Sequence, residues 1–382
     1  MNVALSHLSL NFLGGEERLC LSFVEALRSS GHQVALYTVE KTEWTSVEKF
    51  FGNVTKPDEE IYVTSSPVHA GFSKTSNLIL AYMRFLGQLA KLCIKTKYDL
   101  AINTYGDLVN SIVNVAYVHF PIVATVDYPQ TPAFMSPLKW KMTLGIYATV
   151  ASVLDKIRPS FLLTNSTFTQ QVIGKYLKRE ALVLHPPVDV QTYTCHNIDR
   201  ENLVVTVSKF TPKRMLRRIP LIARNTENAK FVVAGAADAY STATIQDLTR
   251  LIDKCGVRDR VSLCPNIPRS ALIDLLSSAK VYLHVMPSDH FGISIIEAMA
   301  AGCVPVVHGS GGPWLDILAQ QQGEMGFGYW TIEEAARQIN AVMADKNHWR
   351  KLSSAACERS KEYSRQKFQK KLNVVVRELV ST

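Results

Sequence analysis

The chain has 382 residues, 47% hydrophobic and 20% charged, which excludes extensive disorder and is too long for a single ordinary core. Its formal net charge of +9 favours anionic partners: nucleic acid, acidic lipid headgroups or phosphorylated ligands. Charge alone does not choose among them, and a soluble enzyme with surplus lysines fits equally well.

The first residues, Met1-Asn2-Val3-Ala4-Leu5-Ser6, already read as a strand. They show no basic region and no small-residue cleavage site, so no signal peptide is expected. Gly14-Gly15-Glu16-Glu17 follows the strand, and a helix is predicted over Glu16–Ser29 from Leu19, Phe23, Ala26 and Leu27. Gly31 stops it. Further strands are predicted at Val34–Thr38, Ile61–Thr64, Leu100–Asn103, Val115–His119, Phe161–Asn165 and Leu182–His185. Strand–helix alternation implies a parallel sheet covered on both faces.

Two apolar stripes carry flanking cations. One runs from Ile79 to Lys95 with Arg84 and Lys91; the other holds Trp140, Leu144, Tyr147, Ala151 and Leu154 beside Lys139 and Lys141. Such helices either cover a core or lie in a membrane interface. Pro132, Phe134, Met135 and Pro137 precede the second stripe and favour an exposed apolar entry there. The apolar run Leu144–Leu154 is shorter than the ~20 residues a spanning helix needs, so no spanning segment is expected.

His185-Pro186-Pro187-Val188-Asp189 reads as a stiff interdomain linker. The alternation then restarts, with strands predicted at Leu203–Val207, Phe231–Ala234, Val261–Leu263, Val281–Val285 and Val304–His308, and helices at Ser270–Ala279 and Ser294–Ala301. The seven cysteines are widely spaced and form no C-x-x-C pair. They fit reduced thiols in a cytosol-like compartment, and neither a zinc site nor a disulfide framework.

Three strand ends in the second half carry candidate chemistry. After Val207 comes Ser208-Lys209-Phe210-Thr211-Pro212-Lys213-Arg214, a cluster of cations. After Val285 comes Asp289-His290-Phe291-Gly292-Ile293-Ser294, with Glu297 about one turn into the next helix. Helix N-termini present free amides to phosphate, and Gly292 lets the backbone approach a ligand. Glu297 could accept hydrogen bonds from two ribose hydroxyls, or pair locally. After His308 comes Gly309-Ser310-Gly311-Gly312-Pro313, a second strand–glycine–helix junction. Departure of a nucleoside diphosphate builds negative charge that a cation or a metal must offset. The sequence contains no D-x-D metal grip, so Lys209 and Arg214 are the expected counter-charges and no metal is expected.

Together these segments resemble the retaining glycosyltransferases of family 4, over nearly the whole chain. Asp289 and Glu297 match that family's E-x7-E pattern, with Asp in place of the first Glu. Lys209 and Arg214 fall at its Arg-x4-Lys diphosphate clamp, with Lys in place of Arg, an ammonium that cannot grip a phosphate in bidentate fashion. Gly14 and Gly15 match its glycine-rich loop near donor phosphate and acceptor.

The resemblance implies an α/β fold of GT-B type, two Rossmann-like parallel-sheet domains facing a central cleft. It implies an acceptor-binding domain over 1–187, a nucleotide-sugar-binding domain over 188–364, and a C-terminal helix over 365–382 packing back on the first domain. The implied catalytic set is His119, Lys209, Arg214 and Asp289. The implied donor-binding set is Gly14, Gly15, Phe291, Gly292, Ile293, Ser294 and Glu297. Leu283-His284-Val285-Met286, His290-Phe291-Gly292-Ile293, the run from His308 to Ile317 and Tyr117-Val118-His119-Phe120-Pro121 are similar to the α-1,2-mannosyltransferase branch acting on dolichol-linked oligosaccharide. That likeness implies GDP-mannose as donor, no further cofactor, a polyprenyl- or dolichyl-linked glycan acceptor, and a peripheral place on the cytoplasmic face of an anionic membrane. Without it, a strand-end His119 reads more readily as structural.

The alternatives are a UDP-sugar transferase of the same fold, a nucleotide-sugar epimerase without acceptor, and a non-catalytic binder of sugar nucleotide or nucleic acid. No nucleic-acid module and no G-x-G-x-x-G after a strand is found, so neither nucleic acid nor a nicotinamide cofactor is expected.

Overall fold

The computed structural model of the protein describes residues 1–65, 98–106, 113–127, 144–145, 160–193 and 200–381. The predicted stripe from Ile79 to Lys95, the residues Pro132–Pro137 and nearly all of the stripe from Lys139 to Leu154 lie outside the described residues. The chain divides into two compact units. One is Met1–Pro187 with Arg365–Thr382; the other is Val188–Ser364.

In the first unit the strands are β1 (Asn2–Ser6), β2 (Gln33–Glu40), β3 (Glu59–Thr64), β4 (Leu100–Asn103), β5 (Val115–Val118), β6 (Phe161–Thr164) and β7 (Leu182–Val183). They form one parallel sheet in the order β3-β2-β1-β4-β5-β6-β7. The described helices are α1 (Gly15–Ser29), α2 (Trp44–Phe51) and α3 (Thr167–Leu177). On α1, Leu19, Phe23, Val24 and Leu27 are buried against Val3, Leu5 and Leu36. The last helix of the chain joins the same core through Phe368, Leu372, Val375 and Val376, with Phe368 packed edge-on to Phe23 at 5.3 Å.

The second unit repeats the plan. Its strands are β8 (Glu201–Val207), β9 (Lys230–Gly235), β10 (Val261–Pro265), β11 (Ala279–His284), β12 (Val304–His308) and β13 (Phe327–Tyr329). Every pair is parallel, in the order β10-β9-β8-β11-β12-β13. Its helices are α4 (Arg218–Arg224), α5 (Thr242–Lys254), α6 (Arg269–Ser278), α7 (Ile293–Ala300), α8 (Ile332–Ala344) and α9 (Lys346–Ser360), followed in the first unit by α10 (Arg365–Ser381).

Period-two alternation explains why both faces are dry. Val204, Val281, Leu283 and Val306 face Ile339, Val342, Trp349 and Leu352. Val205, Tyr282 and Val307 face Ile295, Ile296 and Met299. A parallel sheet covered on both sides needs this double apolar supply.

The two-sheet α/β class expected from the sequence is what the chain adopts. The sequence pattern does not predict β13, whose three residues are too few to show a period. In each sheet the strand order reverses once, beside β1 and β4 in the first unit and beside β8 and β11 in the second. Open α/β sheets bind ligands outside the carboxyl ends of the strands at such a reversal.

Candidate functional site

The reversal in the second unit brings together loops that are far apart in sequence. Past β8, the buried Phe210 anchors the loop, and a short 3-10 turn over Pro212–Arg214 ends at Met215 in the left-handed region. Lys209 stands exposed on this loop. Arg214 is partly exposed, with Nη1 3.5 Å from Asp289 Oδ2 and 3.3 Å from Met286 Sδ. Arg214 and Asp289 are thus neighbours.

Asp289 has a second partner, His284, the last residue of β11. His284 is buried, and its Nε2 lies 2.9 Å from Asp289 Oδ2. The other carboxylate oxygen, Oδ1, accepts the His290 amide at 2.8 Å. Burial pushes the Asp289 carboxyl up. The close contact with His284 and the nearby charges of His284, Arg214 and His290 outweigh it, so the group is held well below the usual carboxylate range. Asp289 is therefore an anion throughout the neutral range.

Gly292, at φ +101°, turns the chain into α7. Its neighbours divide between core and surface. Phe291 is buried, its ring edge-on to Tyr363 at 5.6 Å, and Ile293 packs at the margin of the same cluster. Ser294 Oγ lies 2.7 Å from the buried Tyr282 hydroxyl, which burial pushes above its ordinary range; that hydroxyl is also 3.2 Å from the Val207 carbonyl. Tyr282 therefore ties the start of α7 to the end of β8. Glu297 is buried on α7, with Oε1 4.0 Å from Arg269.

The β12 loop is laced to the β11 loop. Gly312 N donates to the Asp289 carbonyl at 2.8 Å, and Ser288 N donates to Ser310 Oγ at 2.9 Å. Ser310 Oγ also lies 2.7 Å from His308 Nδ1. With its lone pair accepting from Ser288, the Ser310 hydroxyl can give its proton to a neutral His308 ring.

Burial, then the charges of Arg218 and His284, lower His308 to about 4. An unfolded imidazole titrates near ~6.5. As pH falls below that value the unfolded chain takes up a proton that the folded ring refuses. Stability is therefore lost as pH falls from about 6.5 to about 4, with no further change from this group below. For a half-buried ring the loss, discounted for screening, is about 1–2 kcal/mol. Urea titrations at pH 7 and pH 4.5 are expected to show a smaller acid loss in His308→Gln than in the wild type. Equal losses would show that the ring is not shielded.

At the reversal in the first unit, β1 runs out into His7. His7 Nδ1 lies 3.0 Å from Thr104 Oγ, and Nε2 lies 3.6 Å from Glu17 Oε1. Glu17 Oε2 accepts the Gly14 amide at 2.6 Å, so a carboxylate one turn into α1 fixes the loop that begins it. Burial raises Glu17, but the contact with His7 and the amides of Glu17 and Gly14 leave it below the usual range. Gly14 and Gly15 stand at this junction as the N-cap and first residue of α1. His119 is buried one residue past β5, and its Nε2 donates to the Thr104 carbonyl at 3.0 Å.

The described structure thus joins Arg214 with Asp289, places Lys209 on the same loop as Arg214, and pairs Glu297 with Arg269. Sequence reasoning missed the parts played by His284, Tyr282 and Ser310 in the second unit, and by His7 and Glu17 in the first.

Against known proteins, residues 196–359 match the family described as "Glycosyl transferases group 1". The protein of Dictyostelium discoideum named GDP-Man:Man(3)GlcNAc(2)-PP-Dol alpha-1,2-mannosyltransferase is 25% identical over 299 residues, 69% of this chain and 59% of that protein. The protein of the same name from Xenopus tropicalis is 31% identical over 215 residues, 52% of this chain and 43% of that protein. The chain thus spans less than two thirds of these relatives' length. Among solved structures, Anabaena HepE in complex with UDP superposes with a TM-score of 0.76 at 15% identity, over 99% of this chain and 100% of that one. WaaG, a glycosyltransferase involved in lipopolysaccharide biosynthesis, gives 0.70 at 15% identity, over 97% and 98%. These likenesses establish the fold. The chain has the GT-B fold, and its residues 196–359 are similar to the glycosyl transferases group 1 family.

Proposed function

We propose that the chain transfers mannose from GDP-mannose to a lipid-linked glycan, with retention at the anomeric carbon and without a metal, as a peripheral protein on the cytoplasmic face of an anionic membrane. One observation carries most of the weight. In the domain matched to glycosyl transferases group 1, a guanidinium stands beside a pinned carboxylate at the strand reversal, next to the N-terminus of α7. The donor and acceptor follow the names of the relatives from Dictyostelium discoideum and Xenopus tropicalis. No helix of the described residues is long and apolar enough to cross a membrane.

In this reading Lys209, Arg214 and the amides of Ile293 and Ser294 receive the diphosphate, and Glu297 takes the ribose. The bond from the anomeric carbon to the phosphate oxygen breaks while the acceptor oxygen attaches on the same face. The acceptor's proton passes to the departing phosphate, and no enzymic nucleophile takes part. His119, Gly14 and Gly15 lie at the strand ends of the first unit and serve the donor sugar and acceptor.

The test is a thermal-shift panel of GDP-, UDP- and ADP-sugars, followed by transfer to polyprenyl-linked mannosyl acceptors with and without EDTA. GDP-mannose is expected to raise the melting temperature, and product is expected to form equally with the chelator. Abolition by EDTA would overturn metal independence. A response to UDP-sugars alone would move the donor, epimerisation of donor without acceptor would replace the reaction class, and binding without turnover would make the chain a sugar-nucleotide binder. Cosedimentation with anionic vesicles at low salt tests the membrane assignment, and absence of binding would remove it.

A further inference from the structure

We propose that His284 is a positioning residue for the site's cation: it holds Asp289, and Asp289 holds Arg214. The inference rests on the diphosphate role of Arg214 proposed above, and it gives Asp289 a task other than contact with the sugar.

Both oxygens of the Asp289 carboxylate are engaged. Oδ2 faces His284 Nε2 at 2.9 Å and Arg214 Nη1 at 3.5 Å, while Oδ1 accepts the His290 amide at 2.8 Å. The main chain of Asp289 is fixed as well, because its carbonyl accepts the Gly312 amide at 2.8 Å. An aspartate is one methylene shorter than a glutamate and cannot keep these partners while reaching outward. With only 14% of its side chain exposed, it is set back behind Arg214, which is 37% exposed.

His284 supplies the rigid end of the chain of contacts. It closes β11, which lies between β8 and β12 in the sheet, and its carbonyl accepts the Tyr329 hydroxyl at 3.1 Å. Arg214 is the far end, a long side chain on a one-turn loop. A guanidinium already aimed loses less rotational freedom when the ligand arrives, which favours both binding and the charge-developing step. Removing the imidazole leaves Asp289 with a buried lone pair unmet on one side, and the carboxylate is then free to swing toward solvent and take Arg214 with it.

The experiment compares wild type, His284→Ala, His284→Gln and Asp289→Asn, each alone and with Arg214→Ala. Asp289→Asn keeps the shape of the side chain and covers the case in which His284→Ala fails to fold. The first readout is the rate at which phenylglyoxal modifies Arg214, mapped by mass spectrometry. It is expected to rise about threefold or more in His284→Ala and Asp289→Asn, and to stay near wild type in His284→Gln, whose amide can replace the ring's donor. The second is GDP affinity by calorimetry. His284→Ala is expected to weaken it about tenfold when Arg214 is present and less than about twofold when Arg214 is absent, because only coupled residues are non-additive. Unchanged Arg214 reactivity, or the same drop in affinity in both backgrounds, overturns the proposal. If wild type binds no GDP, the transferase reading falls, and the reactivity of Arg214 still decides whether His284 positions it.

Discussion

Replacing Arg214 by alanine is expected to lower kcat for sugar transfer by about two to three orders of magnitude, the usual cost of removing one group that stabilises charge developing in the transition state. The guanidinium stands at the carboxyl end of β8, and Asp289 Oδ2 at 3.5 Å is a carboxylate held ionised. A cation so paired is already oriented, so its removal takes away stabilisation that needs no rearrangement when the phosphate leaves. In the proposed reaction charge on the diphosphate grows during the step, so kcat is expected to fall more than KM for donor rises. Arg214→Lys keeps the charge but not the planar fork, and about a tenth of the activity is expected to remain. The fold is expected to survive, since Arg214 is partly exposed and His284 still satisfies Asp289. Steady-state kinetics at saturating acceptor, with melting curves as the control, decide the matter. A kcat within about threefold of wild type would remove Arg214 from the chemistry.

How much of this was legible in the sequence depends on where each residue sits. Apart from β13, the strands of both sheets carry enough Val, Ile and Leu to show themselves, and the candidate site loops follow directly from their ends. Lys209, Arg214 and Gly292 are therefore placed from the sequence to within a loop. His284 was harder, because it lies inside an apolar strand and looks like part of it. Period-two alternation does put it on the same face as Tyr282 and at the carboxyl end of β11, and that signal was available. The link between His7 and Glu17 was not, since it joins two elements whose packing no local pattern encodes. Phe291 illustrates a different limit. The sequence places it beside Gly292 among the donor residues without saying which way its ring faces, and the ring is buried against Tyr363, where an aromatic side chain gains from the core. A motif fixes which segment reaches the site, but burial decides which of its side chains can take part.

The other large effect expected is structural. Gly311→Ala should destabilise the second unit by about 2–4 kcal/mol, from left-handed backbone strain together with overpacking. Gly311 has φ +76°, and a Cβ built there would lie 2.4 Å from the Asp289 carbonyl oxygen and 2.8 Å from the Asp289 nitrogen. Both obstacles are backbone, so no side chain can rotate away to make room. The loop cannot retreat without stretching the bonds from Gly312 N to the Asp289 carbonyl and from Ser288 N to Ser310 Oγ. Relief of the clash therefore displaces Asp289 itself, and with it the anchor of Arg214. The substitution is expected to lower the urea midpoint and to reduce transfer more than the fraction unfolded accounts for. Gly323→Ala supplies the control: φ is +78°, yet the nearest atom to an added Cβ is a Phe327 ring carbon at 3.6 Å. That variant should suffer only the backbone strain, about 1–2 kcal/mol, and keep its activity per folded molecule. If the two variants are equally destabilised and equally impaired in transfer, the loops after β11 and β12 are not mechanically joined, and the rigid seat ascribed to Asp289 does not exist.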